Sequence, residues 1–397
     1  AALAAAGAAP PIACGPGLYV HGPFGESKCS YCDFYSVARG DAPRHRYVSA
    51  LRAETAARVP PGFAPDTVFV GGGTPTALDD EDFSQVLDII GLIAPPSTLS
   101  EWTVECNPGS LTPWKARAMR AAGVSRVSIG VQSFDDRILR SVGRVHTAAE
   151  ARSAVSIARA AGIEQVSIDL LFAIPGQGLE TFRRDLASAI ELETDHVSAY
   201  ALLYEEGTTL TRMLGQGRVR CEDEDVELEM LRLAADTLGA AGYERYEISN
   251  FARPGRTCRH NLNYWRNGSY LGLGPGAVSY LQGTRRATVA SWRAWEAALL
   301  AGREVESSAE SLTGGRAAGE ELMLRLRLLE GARLRDVDAR WGTHVEHALR
   351  PLVARLEAAG LVALDAAGVL RVTGDGLAVV DAILAEILSV CAASEAS

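Results

Sequence analysis

The chain is 397 residues long, 47% hydrophobic and 22% charged, with a formal net charge of −10 at pH 7. That length allows two or three domains and a large core. The composition is that of a soluble globular protein, and the acidic balance speaks against a broad polyanion-binding surface. Seven cysteines, unevenly spaced, do not make a secreted disulfide framework and point to a reducing, cytoplasmic compartment. No stretch reads as a membrane span, since the most apolar one, 377–388, is short and carries Asp381 and Glu386.

Residues 1–17 are rich in Ala, Pro and Gly, lack a basic region, and read as a disordered leader. An apolar run at 17–20 predicts a strand, broken by Gly22-Pro23; two cysteines follow in a loop that leads to a helix over 46–58. Strands are predicted at 67–70, 102–105, 126–131, 165–172 and 196–200. Between them, helical spacing covers 79–93, 113–122, a segment after Asp135, 147–161 and 180–192. Six strands alternating with helices imply a parallel sheet, because parallel neighbours need crossovers. A doubly wound open sheet fits the alternation as well as a barrel does. Gly72, Gly73, Glu105, Gln132 and Asp169 fall at or near the carboxyl ends of their strands, where barrel folds place their chemistry.

The cysteine loop is Tyr19-Val-His21-Gly-Pro23-Phe24-Gly25-Glu-Ser-Lys28-Cys29-Ser-Tyr31-Cys32-Asp33-Phe34. Cys-x-x-Cys alone has three readings: free thiols or half a zinc site, a thioredoxin-like pair, or most of an iron–sulfur loop. The flanks, Tyr-x-His-x-Pro-Phe before and Asp-Phe after, are more particular. They resemble the start of radical S-adenosylmethionine (SAM) proteins, specifically the HemW haem-chaperone family, which is similar to oxygen-independent coproporphyrinogen III oxidases. The resemblance implies a partial (βα)6 barrel and, at Cys-x-x-x-Cys-x-x-Cys, three thiolates for a [4Fe–4S] cluster whose fourth iron chelates SAM. Here Cys29 and Cys32 match, but the first position is Gly25, which offers no ligand; Cys14 and water are the remaining candidates.

By the same resemblance, Gly72, Gly73 and Thr74 line the SAM amino-acid moiety. Glu105 suits the ribose hydroxyls. Gln132, Arg144 and Asp169 match further SAM-contact positions, Leu203 an apolar one near the adenine, and Tyr19 the aromatic before the cluster. Without it, Gly71-Gly72-Gly73 is a tight turn and Glu105 a salt-bridged strand-end acid. A second constellation, Cys258-Arg-His260-Asn261-Leu-Asn-Tyr264-Trp265, reads either as a satisfied polar core or, through His-Asn-x-x-Tyr-Trp, as the HemW motif linked to haem. On that reading His260 is a candidate axial ligand, Tyr264 and Trp265 pack on the macrocycle, and Cys258 is a candidate thiolate. Asp33 rather than His follows Cys32, which argues against covalent c-type attachment.

The domain reading is a barrel over 18–245, an extension over 246–306 carrying the His-Asn-x-x-Tyr-Trp motif, and a C-terminal region over 307–397. The last begins with a polar link at 307–319, then helices at 321–329, 345–359 and 376–388, with strands at 361–364 and 369–372, resembling a winged helix. Its arginines are interleaved with acids, which argues against nucleic acid. The resemblance implies a haem chaperone that holds haem and SAM and hands haem to recipient apo-haemoproteins. It leaves peripheral membrane association and a homodimer open. The rival is an oxygen-independent coproporphyrinogen III oxidase, whose extra cysteine falls here on Phe34; a cluster-less paralogue kept as a binding protein is the third reading.

Overall fold

The computed structural model describes residues 15–25, 29–32, 35–38 and 44–394. The leader over 1–14, including Cys14, and also Asp33 and Phe34 lie outside the described residues. Strand β1 is Gly17–Gly22, followed by the short β2 (Phe24–Gly25) and β3 (Val37–Ala38) and by helix α1 (Arg44–Arg58). Strand and helix then alternate through β4 (Thr67–Gly72), α2 (Asp80–Ile93), β5 (Glu101–Cys106), α3 (Pro113–Ala122) and β6 (Arg126–Gln132). The series continues with α4 (Asp136–Ser141), α5 (Ala148–Ala160), β7 (Gln165–Phe172), α6 (Leu179–Glu191) and β8 (His196–Ala201).

Local chemistry sets these boundaries. The Asp79 side chain accepts from the Asp82 amide at the start of α2, and Thr147 and Glu150 form a reciprocal capping box on α5. Helix α3 opens on Thr112-Pro113 and stops at Gly123, whose φ of 96° only glycine adopts cheaply.

Strands β1, β4, β5, β6, β7 and β8 pair in parallel in that order. The sheet curls into a partial (βα)6 barrel, because alternate residues of all six strands face one lumen. Tyr19, Phe69, Thr103, Arg126, Ser167 and His196 line it, with Glu105, Ser128, Asp169 and Ser198 one inward position further along. Their sequence neighbours, among them Val68, Val104, Ile129, Ile168 and Val197, are fully buried under the helices. Each such aliphatic side chain is worth about 1.5–3 kcal/mol, so the outer layer holds the barrel together and the inner layer is left free for polar groups.

Past β8 come α7 (Thr209–Gly215), α8 (Glu224–Ala240), β9 (Glu244–Arg245), β10 (Asn250–Ala252) and α9 (Arg259–Trp265). Then follow β11 (Tyr270–Leu273), β12 (Val278–Leu281), β13 (Thr284–Thr288), α10 (Trp292–Leu300) and β14 (Glu306–Ser311). Strand β10 adds antiparallel to β8, while β11 adds parallel to β1 and leads outward through β12, β13 and β14. Residues 246–306 are therefore continuous with the barrel sheet at both edges, and α9 closes its amino-terminal end.

The stretch at 307–319, expected as a link, instead carries β14 and the first turns of α11 (Gly314–Arg325). Its glycines are contact points: a Cβ on Gly315 would lie 2.1 Å from the Cys391 carbonyl oxygen. After α11 come β15 (Ala332–Arg333), α12 (Leu334–Trp341), α13 (Val345–Ala358), β16 (Val362–Leu364), β17 (Val369–Val372) and α14 (Val380–Ala393). This is the helix–strand–helix–helix–hairpin order of a winged helix, around its own core of Leu322, Leu349, Leu370 and Ile387. Residues Gly376–Ala393 form an apolar helical run longer than 377–388, long enough by length and composition to cross a membrane. Val380, Ile383, Leu384, Ile387 and Cys391 on it are buried in the C-terminal core.

Candidate functional site

The carboxyl ends of the strands gather the expected residues around the cysteine loop. The Gly73 amide donates to the Gly22 carbonyl at 2.8 Å and the Thr74 amide to the Phe24 carbonyl at 2.5 Å, which ties the glycine triplet to the chain entering that loop. A Cβ on Gly73 would lie 2.5 Å from the Phe24 carbonyl oxygen, and Gly72 has a φ of 100°. Both positions therefore require glycine. The Gly72 amide donates to Glu105 Oε2 at 3.0 Å.

From Thr74 a polar chain crosses the mouth. Asn107 Nδ2 donates to Thr74 Oγ1 at 2.7 Å, and Arg144 Nη2 donates to Asn107 Oδ1 at 2.8 Å and to the Gly130 carbonyl. Arg144 Nη1 lies 3.5 Å from Cys29 Sγ. Gln132, at a strained φ of 68° beside a bulge in the β6–β7 pairing, turns its amide back over Gly130 towards the same guanidinium. The Cys29–Cys32 turn docks here through the Ser30 amide on the Val142 carbonyl at 3.1 Å. Gly72, Gly73, Thr74, Glu105, Gln132, Arg144, Asp169 and the cysteine turn thus share one mouth. Leu203, past the end of β8, is 64% exposed.

The two carboxylates are costly to charge. Burial, and then the Asp169 charge, push Glu105 up to about 8, against the pull of the Gly72 amide. Burial also raises Asp169, which accepts from Ser128 Oγ at 3.2 Å. Tyr19 lines the lumen below, its hydroxyl 3.0 Å from His21 Nδ1 and its ring stacked on Phe69.

The second constellation lies at the other end of the barrel. His260 is fully buried, with Nδ1 2.8 Å from Thr67 Oγ1 and Nε2 2.9 Å from the Tyr264 hydroxyl. Both ring nitrogens are occupied, so the axial-ligand reading of His260 does not hold for this conformation; ligation would require α9 to leave the barrel floor. The Cys258 thiol is buried 3.4 Å from Glu101 Oε1, in the same closed floor as His260, and burial pushes its pKa up. Tyr264 packs edge-on against His260 and Tyr270, and the Arg327 guanidinium lies over Trp265. Tyr264 lines the floor, and Trp265 faces the C-terminal domain.

Sequence reasoning missed what anchors this floor. Glu101, 2% exposed, accepts from Arg126 Nε and from the Arg259 and His260 amides, all at 3.1 Å. It also missed Asn107 and the inward row of Ser128, Ser167 and Ser198. For the inward serines the signal was present: β6, β7 and β8 open with polar and apolar residues alternating with period two.

The family profile of the Radical SAM superfamily matches residues 19–189, and that of the HemN C-terminal domain matches 313–379. The heme chaperone HemW of Mycobacterium tuberculosis (strain H37Rv) is 38% identical over 81% of this chain and 84% of its own length. That of Bacillus subtilis is 39% identical over 68% of this chain and 72% of its own. The chain belongs to the HemW heme chaperone family. Among solved structures, Escherichia coli coproporphyrinogen III oxidase (HemN), described as a radical SAM enzyme, superposes with a TM-score of 0.81 at 21% identity, covering 94% of this chain and 90% of that one. That likeness carries the fold.

Membership in a radical SAM family implies SAM and a [4Fe–4S] cluster, and the HemW residues here fit the two unequally. The mouth fits SAM: glycines allow close backbone approach, and Arg144 Nε is a buried donor with no partner. The cluster fits poorly. Cys29 and Cys32 are in no disulfide, but Gly25 is buried in β2, paired with Ala38 of β3, and no group of three metal-binding side chains exists among the described residues.

Proposed function

We propose that this chain binds haem and passes it to apo-haemoproteins, with SAM held at the barrel mouth as a bound ligand rather than a radical source. One observation carries the reading: Gly72, Gly73, Glu105 and Arg144 gather at one mouth, while the first cysteine position of the cluster motif is Gly25 inside a strand. In a complete site the cluster would chelate SAM and supply the electron that cleaves it. Here Arg144 is placed to pair with the SAM carboxylate, Glu105 to hydrogen-bond the ribose, and Gly72 and Gly73 to admit the amino-acid moiety. The family names of the relatives support the haem reading. Haem contacts are assigned outside the closed His260–Tyr264 pair.

Titration of the purified full chain with haemin tests this. Saturable one-site binding, together with SAM binding that survives in the absence of iron and sulfide, is the expected result. Absence of haemin binding overturns the chaperone reading. A reducible cluster that assembles in the wild-type chain and cleaves SAM would instead favour an oxygen-independent coproporphyrinogen III oxidase type of activity.

A further inference from the structure

The lumen below the mouth is built to bind something of its own. Arg126 is 1% exposed at the start of β6 and makes an ion pair with Glu101 on one side only. Its Nε goes to Glu101, and its Nη2 donates to Gln165 Oε1 and to the Arg256 and Thr257 carbonyls. Nη1, with two N–H groups, has no partner, and Arg126 lines the lumen. Thr103, which registers beside Arg126 on the adjacent strand, lines the same space, and its hydroxyl is likewise buried without a partner. A buried guanidinium with an unused donor face is expensive to leave dry.

The geometry points to a small-molecule site in the barrel lumen, beneath the SAM mouth, that takes a short organic carboxylate with one oxygen on Arg126 Nη1 and the other on Thr103 Oγ1. The carboxylate class follows from the surroundings. Arg126 is the cation that faces this end, and its counter-ion Glu101 is engaged by the backbone amides of α9. Glu105 stands one inward position away, about 7 Å along the strand direction. Burial pushes it up to about 8, so it is mostly neutral at pH 7 and adds little repulsion. Asn261 and Ser167 offer further hydrogen-bonding groups, and the whole cavity, mouth included, is about 340 Å³, at the small end of ligand pockets. With α9 across the floor, the way in is through the mouth. This site depends on neither the haem reading nor the cluster.

The test is calorimetric titration of the full chain with sodium propionate, alongside propionamide as a neutral isostere and inorganic phosphate as the competing oxyanion. Saturable propionate binding, absent for propionamide, is expected. Thr103→Val removes a hydroxyl that bonds nothing in the protein, so it should fold normally and weaken propionate at least tenfold while leaving SAM affinity within twofold. Arg126→Lys should abolish propionate binding. If that variant fails to fold, Thr103→Leu, which fills the same space, takes its place with the same expected loss. Propionate binding that is absent, matched by propionamide, or unchanged in Thr103→Val would overturn the proposal and leave the lumen as a water-filled void. Binding of phosphate alone would overturn the carboxylate assignment.

Discussion

Replacing His260 by Ala decides whether the His-Asn-x-x-Tyr-Trp segment serves the fold or a ligand. The imidazole is fully buried, bonded at 2.8 Å to Thr67 and 2.9 Å to Tyr264, and lies against the Phe69 and Tyr264 rings. Truncation strands two buried hydroxyls, each costing about 1–3 kcal/mol, and leaves a cavity besides, so the loss is on the order of 3–5 kcal/mol. Burial also lowers the His260 pKa from its usual 6.5 to about 3. The folded ring resists a proton that the unfolded ring accepts. Its contribution is therefore complete above about pH 6.5 and declines as pH falls towards 3, by about 1.4 kcal/mol per unit at most. Urea unfolding of wild type and His260→Ala at pH 7.5 and pH 5, with haemin titration in parallel, reads both effects. We expect a much less stable variant at pH 7.5, a shallower acid dependence, and haemin affinity retained in the folded fraction. Wild-type stability combined with lost haemin binding would refute the structural role and make His260 a haem ligand.

Three further outcomes follow from the mouth. Gly25→Cys restores the missing thiolate position, so anaerobic iron–sulfide reconstitution should load more cluster into it than into wild type, read by iron content and EPR; equal loading would mean that another ligand already completes the site. Glu105 has a folded pKa raised to about 8, so its contribution is fully present below about 4.5 and is lost as pH rises through 8. Glu105→Gln, which mimics the neutral acid, should remove that alkaline loss from the unfolding profile while weakening SAM. Gly73→Ala places a Cβ 2.5 Å from one backbone oxygen and 2.7 Å from another, at a cost of about 1–3 kcal/mol, and should reduce SAM affinity in equilibrium dialysis.

The alternation of strand and helix was readable because the strands are short apolar-rich runs, those at 17–22, 67–72 and 101–106 closed by Gly, Pro or Asn, and the helices carry caps such as Thr112-Pro113 and Thr147-x-x-Glu150. The mouth was readable because Gly72, Glu105, Gln132 and Asp169 stand at strand ends, a position that survives without coordinates. Three things were not. Residues 224–240 form a helix whose charged face blurs its apolar stripe. The glycines at 314–319 look like a linker until α14 is seen packed against them. The floor was lost because Glu101, Arg126 and His260 are far apart in sequence, and an Arg at a strand start looks like a surface residue until Glu101 buries it. His260 itself was legible as a motif, but the occupation of both its nitrogens depends on Thr67, a partner nearly two hundred residues away.

The most direct test loads the full chain with haemin and follows transfer to an apo-haemoprotein by absorbance, while SAM in the same reaction is assayed for cleavage to 5′-deoxyadenosine and methionine. The account predicts haem transfer with SAM intact. Turnover of SAM under reducing, anaerobic conditions with no haem passed on would contradict it.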